Sequence, residues 1–118
     1  MSNSLPSARM NNSILCVHFL DSPVARSVEV ASVVDQNDFG DVTGVEILDL
    51  RRQLTGGVVD APAASGRVRW SYDSEVDAFY VHVMEGRSQV QTSVKSEVSL
   101  DAAERVVSMK IPVPPAAW

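Results

Sequence analysis

The chain has 118 residues, of which 45% are hydrophobic, and its 15 acidic and 10 basic residues give a net charge of −5. A chain of this length can bury a core without disulfides or metals, so we expect one globular unit. Nucleic-acid binding is disfavoured, because proteins that neutralise phosphates concentrate Lys and Arg on one face, whereas the arginines here are scattered. No segment has the apolar core of a leader or approaches the roughly 18 residues of a membrane span, so we expect a cytoplasmic protein without a membrane partner.

Cys16 is the only cysteine of the chain, which excludes an intramolecular disulfide and a cysteine-based zinc site. It lies in the apolar run Ile14–Leu20 and is predicted to be a small buried residue. The sequence also lacks a glycine-rich phosphate loop, a nucleophile elbow and a metal-spaced Cys/His set. We therefore predict no cofactor, no metal and no catalytic residue.

The secondary structure is predicted to be almost entirely β. Residues 1–12 are small and polar and predict a flexible tail. A short helical turn is expected at 48–54, and a connection rich in Gly, Ala, Ser and Pro at 55–66. Strands are predicted where apolar residues alternate between turn signals, at 14–20, 26–34, 42–48, 67–72, 79–84, 89–100 and 107–113.

The second half of the chain repeats the first at a shift of 64 residues, which pairs Val17 with Val81 and His18 with His82. We predict one domain over 13–118, built from repeat 1 (14–54), a linker (55–66) and repeat 2 (67–113). Each repeat is expected to form a three-stranded meander with one apolar face, and repeat 2 carries an extra leading strand. Packing the two faces together predicts an all-β, mostly antiparallel sandwich or partly closed barrel with a pseudo-twofold axis.

The opening of repeat 2, Tyr72–Val81 (YDSEVDAFYV), resembles the opening of a family of short bacterial proteins known as domain of unknown function 2283. Repeat 1 matches the ending of that family as Gly44–Leu48 (GVEIL), but has Arg9–Ser13 where the family's acidic turn stands. Repeat 2 departs at its end, where Ser108–Ile111 replaces the glycine–glutamate pattern. The resemblance covers most of residues 14–112 as two degenerate copies. It implies a fold and no activity, since the family has none assigned.

The acidic turn of repeat 2 offers one candidate site. Asp73, Glu75 and Asp77, with His82 beyond them, have the residue types of a hard-cation or general acid–base cluster. Short acidic side chains are also typical of hairpin turns, where they accept backbone hydrogen bonds and fix the register. We favour this structural role. The alternative is a small-ligand or metal-dependent binding protein or enzyme that uses Asp73–Asp77.

Two further patterns allow a functional and a structural interpretation. The segment Asp35–Glu46 partly matches a calcium-binding loop, but Phe39 stands where an oxygen ligand is needed and the flanks are strands, so we predict a β-turn without metal. His18 and His82 share one repeat position, and a twofold axis could bring them together. We favour packed or partly exposed histidines over a paired site.

The favoured function is a non-enzymatic protein-interaction or regulatory module. A free edge strand would accept a strand from a partner, and the aromatic face of Val68, Trp70 and Tyr72 would anchor it. An acidic chain suits a basic partner, for example a small bacterial protein that this chain regulates as an antitoxin does. We expect a monomeric pseudo-dimer or a homodimer, with partner-binding residues Trp70, Tyr72, Asp73, Glu75 and Asp77.

Overall fold

A computed structural model describes residues 5–65 and 68–115 of the chain. Strands account for 56% of the described residues and helix for 5%, which confirms the all-β prediction with little helix. The helix α1 spans Leu50–Leu54, inside the stretch where a helical turn was expected. The strands are β1 Ser7–Asn11, β2 Ile14–His18, β3 Arg26–Gln36, β4 Val42–Leu48, β5 Ala64–Ser65, β6 Val68–Asp73, β7 Ala78–His82, β8 Val90–Leu100 and β9 Val106–Pro112.

The nine strands form a single sheet in the order β1-β2-β9-β8-β3-β4-β7-β6-β5, and every neighbouring pair is antiparallel. The sheet curls into a nearly closed barrel, which brings its apolar face inside, as twisted sheets of this size tend to do. The predicted antiparallel, partly closed barrel is therefore confirmed.

The two halves exchange strands, which differs from two separate meanders. β2 pairs with β9 rather than with β3, and β7 pairs with β4 rather than with β8. The connections 19–25 and 83–89 are longer than tight hairpin turns and cross to the other half. Each connection is fixed at both ends by backbone hydrogen bonds to strands of the half to which it crosses. For 19–25 these are Phe19 N to Val107 O and Ala25 N to Leu100 O, both 2.8 Å.

The strand bounds of the two halves match at the shift of 64 residues. β2, β3 and β4 begin and end 64 residues before β7, β8 and β9. The β-bulges also correspond, between Asp35 and Gln36 in β3 and between Ser99 and Leu100 in β8. The long strands β3 and β8 correspond at this shift and pair with each other at the centre of the sheet. A pseudo-twofold axis therefore passes between these two strands.

The prediction of a tail at residues 1–12 is wrong for Ser7–Asn11, which form the edge strand β1 against β2. Asn12, in the two-residue turn, has φ 58°, a left-handed conformation that asparagine tolerates. β1 is polar because an edge strand exposes most of its side chains. Its sequence therefore lacks the alternating apolar residues from which a strand is predicted. β1 also gives the first half a counterpart to β6, so the leading strand is not an addition confined to the second half. Residues 1–4 lie outside the described residues, as does Arg67 of the predicted strand 67–72.

Phe79 occupies the centre of the core. Its ring contacts Phe19 edge-on, with centroids 6.0 Å apart, and stacks on Trp70 at 5.8 Å. These three rings come from both halves and join the two ends of the curled sheet. The largest fully buried side chains are Phe19, Phe79, Ile47, Leu54, Leu100, Met109, Ile111, Val17, Val30, Val34, Val45 and Val81.

Residues 55–65 of the predicted linker 55–66 pack on the barrel. Val58 forms a parallel bridge with Arg105, donating from its N–H to Glu104 O at 3.0 Å and accepting from Val106 N at 2.8 Å. The chain then adds β5 to the edge of β6. This path places Val58 and Val59 beside the aromatic side chains of β6.

The hairpin turns that follow β3 and β8 have the same geometry. Asn37 Oδ1 accepts from the N–H groups of Phe39 and Asp41, both at 3.0 Å. Asp101 Oδ1 likewise accepts from Ala103 and Arg105, both at 2.9 Å. Residues 37 and 101 are related by the shift of 64, so one turn is built with a neutral side chain and the other with a charged one.

We expect Asp101→Asn to convert the second turn to the neutral form of the first and to remove a pH-dependent contribution to stability. The backbone N–H of Arg105, with hydrogen bonds from Ser22, the Arg105 side chain and Ala103, outweighs burial and lowers the pKa of Asp101 below its ordinary 3.8. A lowered pKa adds stability above the unfolded value that is lost as the pH falls through the folded value. In thermal melts the melting temperature of wild type should be higher than that of Asp101→Asn at pH 7. The difference in melting temperature should narrow below about pH 4. A constant difference at every pH would contradict the charge effect.

Candidate functional site

The acidic hairpin between β6 and β7 does not gather its three carboxylates. Asp77 turns back toward α1, where its two oxygens accept from the backbone N–H groups of Arg51 at 2.9 Å and Arg52 at 3.2 Å. Tyr72 donates its hydroxyl to Asp77 Oδ1 at 2.6 Å. Asp77 therefore satisfies the first turn of the short helix from outside.

The electrostatics of Asp77 agree with this role. Burial acts to raise the pKa of its carboxyl, but the Tyr72 hydroxyl and the two helix N–H groups favour the anion and lower the pKa overall. The same hydrogen bond raises the pKa of Tyr72, with burial and the charge of Asp77 adding to it. The pair therefore stays as a phenol and a carboxylate at neutral pH.

Asp73 and Glu75 are exposed. Asp73 Oδ1 accepts from Glu75 N at 3.0 Å, an Asx turn that fixes the hairpin as the structural interpretation predicts. The Glu75 side chain makes no hydrogen bond or ion pair with the described residues. Across residues 5–65 and 68–115 no group of three or more His, Cys, Asp or Glu is placed to hold a metal ion.

The aromatic face of β6 lies on the inner side of the curled sheet, at its open edge. Val68 is buried in the core, whereas Trp70 and Tyr72 are half-buried. Trp70 stacks on Phe79 and donates its indole N–H to Pro62 O at 2.9 Å. The aromatic side chains predicted as anchors are therefore preorganised, and Val68 serves the core instead.

Trp70 and Tyr72 line a small cleft together with α1 and the linker. The cleft has a volume of about 80 Å³ and is mainly apolar. The Arg51 guanidinium lies 5.8 Å from the centre of the Tyr72 ring, at one side of the cleft. Its lining residues are Leu50, Arg51, Gly57, Val58, Val59, Trp70 and Tyr72.

Residues 63–65 cover the outer edge of β6 as far as Trp70, and the edge is open at Tyr72. The N–H of Trp70 points away from β7 and donates to Ala63 O at 2.9 Å. Because backbone groups alternate along a strand, the N–H and C=O of Tyr72 point the same way. No described residue bonds to the Tyr72 N–H, so this edge can take a further strand next to the cleft.

His18 and His82 do not form a paired site. Four strands lie between β2 and β7 in the sheet order, and each histidine contacts its own carboxylate three residues on. His18 Nε2 lies 3.7 Å from Asp21, and His82 Nε2 lies 3.5 Å from Glu85. Asp21 and Glu85 are themselves related by the shift of 64. These histidine–carboxylate pairs were not predicted, although their i, i+3 spacing indicates them.

A polar cluster on the outer face of the sheet, formed by residues of β8, β3, β4 and β7, was not predicted. Tyr80 lies over Gly44 and donates its hydroxyl to Asp35 Oδ2 at 3.2 Å, and Gln91 donates to Asp35 Oδ1 at 2.9 Å. Burial, then the charge and hydrogen bond of Asp35, raise the pKa of Tyr80 to about 12. The segment Asp35–Glu46 is strand–turn–strand, as the β-turn interpretation predicted, and Asp35 is used by this cluster.

Comparison of the chain with models of known families, with curated proteins and with solved structures finds no match. The resemblance to domain of unknown function 2283 stays a prediction. Within the described residues, no helix has the length and apolar character needed to cross a membrane. The cytoplasmic location likewise stays a prediction.

Proposed function

We propose that the chain is a protein-interaction module that binds an extended, basic segment of a partner protein along the open edge of β6. The observation that carries this proposal is the open edge at Tyr72, which lies directly beside the cleft lined by Trp70 and Tyr72. Backbone hydrogen bonds to an added strand would provide affinity, and the cleft would select one side chain of that strand.

The volume of the cleft favours a side chain over a metabolite. At about 80 Å³ it is well below the roughly 300–1,000 Å³ of small-ligand pockets, and it has room for one aliphatic side chain. The bonds of Trp70 to Pro62 and of Tyr72 to Asp77 hold both rings in place before binding. Rigid aromatic anchors lose little conformational entropy on binding, which is typical of interaction hot spots.

The exposed carboxylates set the charge of the partner. Asp73 ends β6 and Glu75 follows in the turn, so a strand added at this edge would pass close to both. The oxygens of Asp77 already accept hydrogen bonds from the helix and from Tyr72, so this carboxylate does not contribute. An apolar side chain flanked by Lys or Arg is therefore the segment that this edge fits.

The experiment is an affinity pull-down from cell lysate with matched charge reversals, followed by calorimetry on each recovered protein. We expect Glu75→Lys to weaken binding by on the order of tenfold, and more at low salt, because it places a cation beside a cationic segment. Asp38→Lys is the control, since Asp38 is an exposed acid in the turn at the opposite end of the sheet.

The comparison of the two variants decides the proposal. A partner that binds wild type and Asp38→Lys but loses affinity for Glu75→Lys supports the β6 edge as the site. Equal losses in both variants would show only that net charge matters. A partner that is indifferent to Glu75→Lys, or the absence of any partner, contradicts the proposal.

A further inference from the structure

A second concave surface lies on the outer face of the sheet at its β1 end, across β1, β2 and β9. It has a volume of about 540 Å³, which falls in the range of roughly 300–1,000 Å³ that is typical of small-ligand sites. Its lining residues are Leu5, Ser7, Arg9, Cys16, Val17, His18, Ser108 and Lys110. The lining contains three basic side chains and no carboxylate, although the chain as a whole is acidic.

The register explains how the cations are placed. Arg9 pairs with Cys16 across β1 and β2, and Cys16 pairs with Lys110 across β2 and β9. The three residues therefore form one row across the sheet, with Arg9 and Lys110 roughly 10 Å apart, two strand spacings, on either side of the thiol. Neither cation forms an ion pair with any described carboxylate.

The opposite end of the sheet provides an internal comparison, because the shift of 64 assigns each lining position a counterpart. Cys16 and Ser108, on β2 and β9, correspond to Tyr80 and Gly44, on β7 and β4, and there the tyrosine ring lies over the glycine and fills the space. Lys110 corresponds to Glu46. The same framework is thus closed and acidic at the β7–β4 pair, and open and basic at the β2–β9 pair.

The fold does not require the open, basic form. Tyr80 and Glu46 show that it accommodates an aromatic side chain and a carboxylate at these positions. Arg9 and Lys110 are both exposed beside this concave surface, and Glu97 lies across from Lys110 on the side away from Arg9. An anion between Arg9 and Lys110 would be attracted by both. Ser7 and Ser108 add hydroxyl donors around the same space.

We propose that this surface is a binding site for a small organic anion with two or more negative charges, carried on carboxylate or phosphate groups, and held by Arg9 and Lys110. One anionic group would lie on each cation, and the body of the ligand would cover Cys16. Charge-assisted hydrogen bonds of this kind are about twice as strong as neutral ones.

Cys16 allows a direct test, because it is the only cysteine and lies half-buried between the two cations. The rate at which the neutral disulfide 4,4′-dithiodipyridine reacts with Cys16 is measured in the presence of citrate or pyrophosphate, with potassium chloride keeping the ionic strength constant. We expect saturable protection of the thiol. Protection by citrate alone indicates a carboxylate ligand, protection by pyrophosphate alone a phosphate ligand, and either supports the site.

Variants separate a site from a general effect of charge. We expect Arg9→Gln and Lys110→Gln each to weaken protection by on the order of tenfold, and Lys110→Glu, which introduces the residue type of the corresponding position 46, to abolish it. Lys95→Gln is the control, since Lys95 is an exposed cation on the central strand β8 outside this lining. Circular dichroism on each variant checks that the fold is intact.

Three results would overturn the proposal. These are the absence of protection by both anions, protection that chloride reproduces at equal ionic strength, and protection that persists unchanged in both Arg9→Gln and Lys110→Gln.

Discussion

Replacing Phe79 with alanine is expected to lower the free energy of unfolding by about 3–5 kcal/mol. Phe79 is completely buried and its ring contacts Phe19 and Trp70, which lie on opposite sides of the closure of the sheet. Removing the ring loses its transfer free energy and leaves a cavity where the two halves meet. Since domains of this size have about 5–15 kcal/mol of stability, urea denaturation followed by circular dichroism should show a large shift of the midpoint.

Phe39→Ala is the matched control for this prediction. Phe39 lies in the turn after β3 with 74% of its surface exposed, so the same chemical change there should alter stability by no more than about 0.5 kcal/mol. A loss below about 1 kcal/mol in Phe79→Ala, within the range of ordinary point substitutions, would show that the aromatic cluster does not hold the barrel closed.

The second large effect is expected at Gly44, where serine should cost about 1–3 kcal/mol. A Cβ at this position would lie 1.8 Å from the Tyr80 hydroxyl oxygen and 2.3 Å from the adjacent ring carbon. The tyrosine ring would have to leave the sheet surface, and its hydrogen bond to Asp35 would break. Chemical denaturation of Gly44→Ser against wild type measures the loss.

The β2–β9 pair supplies the control, because Cys16 and Ser108 stand there in place of Tyr80 and Gly44. We expect Gly44→Ser to cost little in the background of Tyr80→Cys, studied under reducing conditions, since the smaller side chain leaves room for the new Cβ. A double-mutant cycle should therefore give a coupling energy of about 1–3 kcal/mol. Additive losses would mean that the tyrosine does not depend on the glycine.

The strands were predictable from the sequence because their signal is local. In β8, apolar and polar residues alternate over its whole length, and that alternation places Val98 and Leu100 in the core and Glu97 outside. The edge strand β1 was not predicted because only one of its faces packs against apolar side chains, and that face is short.

The exchange of strands was not predictable from alternation. β2 and β7 have the same apolar face, so either would fit beside β3 or beside its counterpart in the other half. The connections 19–25 and 83–89 are long enough to cross to the other half, and the observed pairing uses this length. Their length is visible in the sequence, but its consequence depends on where the other half lies.

The site was only partly predictable for the same reason. The Asx turn of Asp73 is local and was expected, since donor and acceptor are two residues apart. The partners of Asp77 are 25 and 26 residues away, and those of Asp35 are 45 and 56 residues away. Such contacts depend on the pairing of strands, which the sequence pattern alone does not settle.

The exchange of strands has a consequence for how the chain folds. Pairing of β2 with β9 closes a loop of almost the whole chain, and β4 takes its second partner strand, β7, from the other half. Contacts of such high sequence separation slow folding, since loop closure precedes the gain from pairing. Neither half can then acquire its native sheet before the other, and the barrel should form and melt as one cooperative unit.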